Sequence, residues 1–306
     1  MNKIHLISCD EGLKTLKEKT IDICVTSPPY NLGIKYTSYK DNKKDSEYLL
    51  WLNGIFKLIS KVLKDDGHFF LNMGYSNKHP WVGMDVAQQA RDYFILQNNI
   101  IWSKSISIGD ITYGHFKPIN SKRYTNGTWE YLFHFTKTGN EDCDRLSIGV
   151  PYMDDSNLNR VSRKKGKLSK KLGYDNVRDF SKNATPIHII EMQNELDKYI
   201  QNSPKKENKR CKGNTWHIPY DTIQNNATQK GSHPAVFPVA LVEQCIKFSG
   251  KKAGILLDPF MGSGTSAVAA QNLNLQYVGY EIDSCNVDFS NERLKKNSLQ
   301  KVKNIL

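Results

Sequence analysis

Short apolar runs punctuate the first 137 residues at intervals too regular for loops. The runs IHLIS, IDICV, HFFLNM, FILQNNIIW and EYLFHF are rich in β-branched and aromatic residues and predict strands. Between them, residues 46–63 put Leu52, Ile55, Phe56, Ile59, Val62 and Leu63 on one face of a helix, and Asp65-Asp66-Gly67 predicts its end. From about residue 138 the pattern gives way to short polar segments rich in Lys, Asn and Ser. After residue 215 it returns: a helix over about 235–248, the strand AGILLD, a helix after Gly264, the strand QYVGYEI and a charged final helix. Strands alternating with helices predict an α/β fold, a doubly wound and mostly parallel sheet with helices on both faces. The polar stretch then reads as an insertion, dividing the chain into 1–138, 139–215 and 216–306.

At 306 residues and 39% hydrophobic content, the chain has enough apolar surface for a large core. It has no apolar run of about eighteen residues, and MNKIHLISCDEG lacks the features of a signal peptide, so a soluble, cytoplasmic protein is expected. Six dispersed cysteines without a C-x-x-C pair suggest neither a zinc site nor a disulfide framework, and no metal is expected. Charge changes the picture more. Lys and Arg total 43 against 31 Asp and Glu, a formal charge of +12, which favours polyanionic partners. The excess is concentrated at Arg160, Arg163, Lys164, Lys165, Lys167, Lys170, Lys171, Arg178 and Lys182, opposed there only by Asp175 and Asp179. Such a stretch either seeks phosphates or is a solvated basic loop.

Two segments carry candidate chemistry. Ser27-Pro28-Pro29-Tyr30 follows the strand IDICV, and its prolines fix φ and bias the preceding residues to extended backbone. It is a plain Pro-Pro turn or a stiff loop presenting a hydroxyl, a carbonyl and an aromatic ring at a strand's carboxyl end, where open α/β sheets bind ligands. The second segment, Asp258-Pro259-Phe260-Met261-Gly262-Ser263-Gly264-Thr265, links a buried strand to a helix. Gly262 and Gly264 let the backbone approach a ligand at a helix N-terminus. Glu281, at the end of the next strand, is placed to accept from two ribose hydroxyls. Strand, G-x-G, helix, strand and acid in this order make a nucleoside-cofactor site, the alternative being an ordinary tight turn. Ala267 in the last glycine position and the lack of G-K-[ST] disfavour NAD and ATP.

These segments resemble the amino-group (cytosine-N4 and adenine-N6) DNA methyltransferases that use S-adenosylmethionine, in the permuted class whose catalytic motif precedes the cofactor motif. SPPY resembles the catalytic [DNS]-P-P-[YFW] motif and DPFMGSGT the cofactor loop. LKDDGHFFLNMG, ILQNNIIWSKS and WEYLFHFTK resemble the motifs between them. SHPAVFP, with Ser232 and His233, resembles the motif at the methionine end of the cofactor, and ISCDEGLKTL the segment whose acid, here Asp10, approaches the adenine. The resemblance implies a circularly permuted Rossmann-like methyltransferase fold. It makes 1–138 the catalytic half and 216–306 the cofactor half, with Asp258, Phe260 and Thr265 joining the two glycines and Glu281 around the cofactor.

It also implies a use for the stiff loop. An exocyclic amino nitrogen is a poor nucleophile because its lone pair is delocalised into the ring. Hydrogen bonds to the Ser27 hydroxyl and the Pro28 carbonyl would favour a pyramidal nitrogen, and direct transfer follows by positioning and loss of the sulfonium charge. Tyr30 would stack on a base flipped out of the duplex at a cost of a few kcal/mol. Serine in the first motif position usually goes with cytosine N4 in this family, and aspartate or asparagine usually with adenine N6; adenine N6 stays open, because both amino groups offer the same donors and Asn31 after the motif also occurs among adenine enzymes. A non-catalytic nucleic-acid binder is the contrasting class.

The remaining features concern DNA. Residues 139–215, with Arg163, Lys164, Lys165 and Lys167, are the expected target-recognition region. His115, Lys117, Lys122, Arg123 and Tyr124 form a DNA-facing lid or a solvated loop. Trp102 and Trp129 are expected in the core. Expected partners are duplex DNA, a cognate restriction endonuclease in a bacterial restriction-modification system and a second copy of the chain.

Overall fold

The computed structural model describes residues 1–34, 38–114, 120–153, 162–202, 208–219 and 237–303. They form two compact units, one of residues 1–148 and 212–306 and one of Gly149–Cys211. The first is built on an eight-stranded sheet: β1 (Lys3–Leu6), β2 (Ile21–Thr26), β3 (Leu63–Met73), β4 (Ile95–Ser103), β7 (Trp129–Thr136), β8 (Thr215–His217), β9 (Ile255–Asp258) and β10 (Gln276–Glu281). Their order is β1-β10-β9-β2-β3-β7-β4-β8. From β1 to β3 every pairing is parallel; β7 runs antiparallel between β3 and β4. A separate hairpin of β5 (Ser105–Ile108) and β6 (Ile111–Gly114) follows β4.

Because central strands are covered on both faces, they read as continuous apolar runs, and alternate side chains enter opposite cores. Phe69, Leu71, Met73, Tyr131, Phe133 and Phe135 pack in one core with α1 (Cys9–Lys14), α2 (Asp45–Val62) and α3 (Val82–Ala90). Phe70, Leu132, Trp102 and Trp216 pack in the other with α7 (Val239–Ser249), α8 (Thr265–Asn272) and Leu294 of α9 (Ser284–Lys303). The doubly wound fold thus follows from the strand composition. Trp102 is buried, whereas Trp129 is partly buried between Tyr75 and Tyr131.

The helix predicted over 46–63 forms as α2, but Asp65-Asp66-Gly67 does not end it. Leu63 already has extended backbone and opens β3, which runs through all three residues. Lys19 and Lys137 pair with Asp65 and Lys251 with Asp66, so the two acids sit exposed along the start of the strand. The described residues of the polar second unit include three helices that the broken periodicity does not announce: α4 (Ser162–Lys171), α5 (Val177–Asn183) and α6 (Pro186–Asn202). Its core is small, Leu168, Met192 and Leu196 with Leu172 and Phe180 against them. So few apolar positions cannot set a clear helical period. No helix among the described residues is long and apolar enough to cross a membrane.

One polar feature crosses the second core. His68 and His134 lie on neighbouring strands, their Nδ1 and Nε2 2.9 Å apart, and Asn98 reaches the other nitrogen of His134 at 2.9 Å. Cys143 is close enough to complete a three-ligand group, its donor atom within 4.8 Å of theirs. The hydrogen bond between the rings occupies both facing nitrogens, so the pair reads as a neutral structural link. Burial lowers the pKa of His68 to about 4, helped by Lys251, and that of His134 to about 3, helped by His68.

With folded pKa values below the unfolded ones, the unfolded chain takes up protons first as pH falls from about 6.5 towards 4, and stability is lost across that window. Asp258, raised to about 6, opposes this with a single proton. Urea unfolding should therefore weaken between pH 6.5 and 4.5, and replacing both His68 and His134 with Phe should flatten the slope. An unchanged slope in the double variant would count against this assignment.

Candidate active site

The strand order reverses direction between β9 and β2. From β9 the chain passes through α8 on one face to β10; from β2 it passes through α2 on the other face to β3. The loops leaving the carboxyl ends of these two adjacent parallel strands therefore diverge and open a crevice between them. One loop is SPPY and the other is PFMGSG.

Asp258 joins the two. Its Oδ1 accepts from Thr26 Oγ1, the last residue of β2, at 2.6 Å and from the Phe260 amide at 3.0 Å; its Oδ2 accepts from Ser266 Oγ at 2.6 Å. The carboxyl is fully buried, and burial pushes its pKa up to about 6 against the lowering effect of these three donors. Asp258 therefore sets the spacing of the crevice from beneath, with its oxygens turned into the protein.

The glycine loop is held from outside by α9. Ser290 donates to the Gly262 carbonyl at 2.9 Å, and Arg293 donates to the Ser263 carbonyl at 3.1 Å and Thr265 Oγ1 at 3.0 Å. Thr265 is buried, so its hydroxyl serves the loop. Gly264, the residue before α8, has φ +79°, and a Cβ there would lie 2.8 Å from that of Ser290; both the conformation and the packing call for glycine. Glu281 closes the rim. It accepts from the amides of Gly262 at 2.8 Å and of Ile282 and Asp283 at 2.9 Å. A carboxylate offers about four lone-pair sites, so part of its capacity remains for a hydroxyl. Asp10 lies in the first turn of α1, which follows β1 at the same sheet edge, and the charges of Asp10 and Glu281 both bear on the neighbouring Cys9, whose thiol burial pushes up to about 12. Phe260 is partly exposed and meets the edge of Trp51 with ring centroids 5.6 Å apart.

The SPPY loop is equally fixed. Tyr48 of α2 donates to the Pro29 carbonyl at 2.6 Å. Tyr30 turns its hydroxyl onto Ser27 Oγ at 2.9 Å, Glu130 Oε2 at 3.0 Å and Asn72 Oδ1 at 3.3 Å. Burial and the charge of Glu130 hold its phenol well above the ordinary range, so it stays protonated. Its ring lies against Gly74, where a Cβ would be 2.5 Å from the ring. Asn31, with φ 58°, is absorbed by the following turn: its side chain bonds the backbone of Lys43 in both directions, and Asp41 accepts from the Asn31, Leu32 and Ile34 amides. Asn31 is thus a buried loop clamp.

The structure brings Ser27, Pro28, Pro29 and Tyr30 to the carboxyl edge shared with Phe260, Gly262, Gly264 and Glu281. Ser232, His233, His115, Lys117 and the Arg163 side chain lie outside the described residues. Lys122 and Arg123 are exposed, the Arg123 guanidinium 5.4 Å from the Tyr124 ring. Lys165 and Lys167 are exposed on α4, and Lys164 Nζ lies 5.4 Å from the ring of Tyr199. Sequence reading did not single out Tyr48, Asn72, Lys104 or Glu130. The signal for Glu130 was a lone acid opening the apolar run YLFHF; β7 is antiparallel, so its start lies beside the carboxyl end of β3, at the sheet edge where β2 also ends.

The Asp258 link gives a direct test. Asp258→Ala leaves three donors unmatched, two of them buried, and should cost roughly 3 kcal/mol in urea unfolding, whereas Asp258→Asn, which keeps an acceptor and removes the buried charge, should cost less than half of that. Equal losses would contradict the link.

Comparison with known proteins bears on the fold and the family. The chain is 25% identical over 290 residues to the Type II methyltransferase M.ScaI of Streptomyces caespitosus, covering 93% of this chain and 78% of the relative. Its fold is similar to that of the PvuII DNA methyltransferase (cytosine-N4-specific), with TM-score 0.60, 17% identity and coverage of 96% and 90%. It is also similar to the M1.HpyAVI–SAM complex, with TM-score 0.53, 19% identity and coverage of 96% and 100%. A sequence profile described as DNA methylase matches residues 21–292, and over that span, most of its length, the chain belongs to the N6/N4 DNA methylase family.

Proposed function

We propose that this DNA methyltransferase moves a methyl group from S-adenosylmethionine to the exocyclic N4 of cytosine in duplex DNA, as the modification enzyme of a restriction-modification system. The observation that carries this reading is the serine of SPPY, held at the switch point across from the glycine cradle and within hydrogen-bond reach of Tyr30.

The cradle fits the cofactor. Gly262 and Gly264 let the loop backbone come close, Glu281 would take a ribose hydroxyl with its remaining capacity, and Asp10 and Phe260 would flank the adenine, with Ser232 and His233 towards the methionine end. When bound, the cofactor supplies an electrophilic methyl group on a sulfonium. The protein's part is positional. Ser27 Oγ and the Pro28 carbonyl accept from the two amino N–H groups, so the nitrogen pyramidalises and its lone pair turns to the methyl group. The prolines and the Tyr48 bond keep that loop from yielding. Tyr30, fixed at its hydroxyl, offers a ring face to a base taken out of the stack.

Serine in place of aspartate at the first motif position supports cytosine. Residues 139–215 would provide target recognition, with Arg163, Lys164, Lys165 and Lys167 on phosphates and Lys122 and Arg123 contributing from the 120–128 segment. The relative named a Type II methyltransferase supports the restriction-modification role.

Incubation with S-adenosylmethionine and mixed-sequence duplex DNA, followed by mass spectrometry of the nucleosides, should yield N4-methylcytosine, and Ser27→Ala should lower the rate by roughly a hundredfold. N6-methyladenine instead would keep the mechanism and overturn the base assignment. Changing Lys164, Lys165 and Lys167 to Gln should weaken binding to all DNA alike and reduce the slope of log K against log salt by about 2 to 3. An unaltered slope would remove these lysines from the phosphate contacts.

A further inference from the structure

The hydrogen bonds around Tyr30 favour one arrangement of protons over the others. Its phenol oxygen faces three groups, Glu130 Oε2 at 3.0 Å, Asn72 Oδ1 at 3.3 Å and Ser27 Oγ at 2.9 Å. The first belongs to a carboxylate that is ion-paired with Lys104 and has no proton to give. The second is an amide oxygen, because the nitrogen of the same amide donates to the Tyr131 carbonyl at 2.9 Å. Tyr30 has one proton for these two acceptors, and the charge-assisted bond to Glu130 is the stronger and shorter. Of the three neighbours, only Ser27 is left to donate to the phenol oxygen.

We propose that Glu130 is a positioning residue: by holding the Tyr30 proton it makes Ser27 donate to Tyr30, which leaves the lone pairs of Ser27 Oγ to accept. This rests on the reading that Ser27 receives the amino group of the target base. An amino group brings N–H donors, so a serine whose own proton pointed into the crevice would oppose it. Steering that proton onto Tyr30 makes a neutral hydroxyl present itself as an acceptor, which a carboxylate in the same position would be without help. Lys104 holds Glu130 from the other side, and Gly74 gives the Tyr30 ring room to lie where its hydroxyl meets all three partners.

Two measurements test this. Neutron diffraction from deuterium-exchanged crystals should place the Ser27 deuteron towards Tyr30 Oη and the Tyr30 deuteron towards Glu130; a Tyr30 deuteron aimed at Ser27 would overturn the proposal. In single-turnover methylation, Glu130→Gln gives Tyr30 an N–H to face and frees its proton to turn onto Ser27. That change should slow transfer by about tenfold or more while the dissociation constants for S-adenosylmethionine and DNA move less than about threefold. In the Tyr30→Phe background, where the relay is already gone, Glu130→Gln should have almost no further effect. An equal penalty in both backgrounds would mean that Glu130 acts through packing or Lys104, and would refute the relay. Correctly placed deuterons in a wild-type protein that methylates no DNA would refute the substrate reading and leave the proton assignment standing.

Discussion

The buried carboxylate of Asp258 is the constraint on which the site depends. It ends β9, bonds the last residue of β2 and caps the start of α8 through Ser266, so one side chain fixes the two strands whose loops form the crevice. Burying a carboxylate is costly unless it is hydrogen-bonded, and three donors offset that cost here while burial still raises the pKa to about 6. The same oxygens cannot also face a ligand. In this protein the first residue of the glycine-loop motif is a brace, and the proposed ligand-facing roles pass to the backbone that follows it and to Glu281.

Above that brace the two loops are rigid for different reasons. The glycine loop would be mobile by composition, and Ser290 and Arg293 of the last helix tie down its carbonyls. The SPPY loop is stiff by composition, and Tyr48, Asn31 and Asp41 fix its exit. Positioning is the main contribution a protein can make to a direct group transfer, so both devices serve the same end. The Glu130–Tyr30–Ser27 chain extends this from heavy atoms to a proton.

Much of this was legible in the chain. Continuous apolar runs gave the buried strands because both faces of the sheet are covered, and the amphipathic stretch before them gave α2 nearly to the residue. SPPY and GSG could be read as loops because proline and glycine restrict or widen backbone freedom in ways that do not depend on context. The helices of the second unit were not legible, since three buried apolar residues and a few partners among the described residues leave no clear periodicity among so many lysines. Nor was the start of β3, where Asp65-Asp66-Gly67 looks like a helix stop but lies within the strand as an irregularity between the Ile21–Leu63 and Ile23–His68 pairs, with lysines from three other segments on its two acids.

By itself the sequence determined the α/β alternation, the two loops, the glycine positions and an acid after the second strand, because each is set by local backbone preference and hydrophobic period. Only the tertiary structure decided which side chains meet at the switch point. Thr26 and Asp258 are separated by 232 residues and Tyr30 and Glu130 by 100, and nothing in local composition specifies such a pairing. It arises from the strand order, which sets β9 beside β2 and brings the start of the antiparallel β7 to the edge where the parallel strands end.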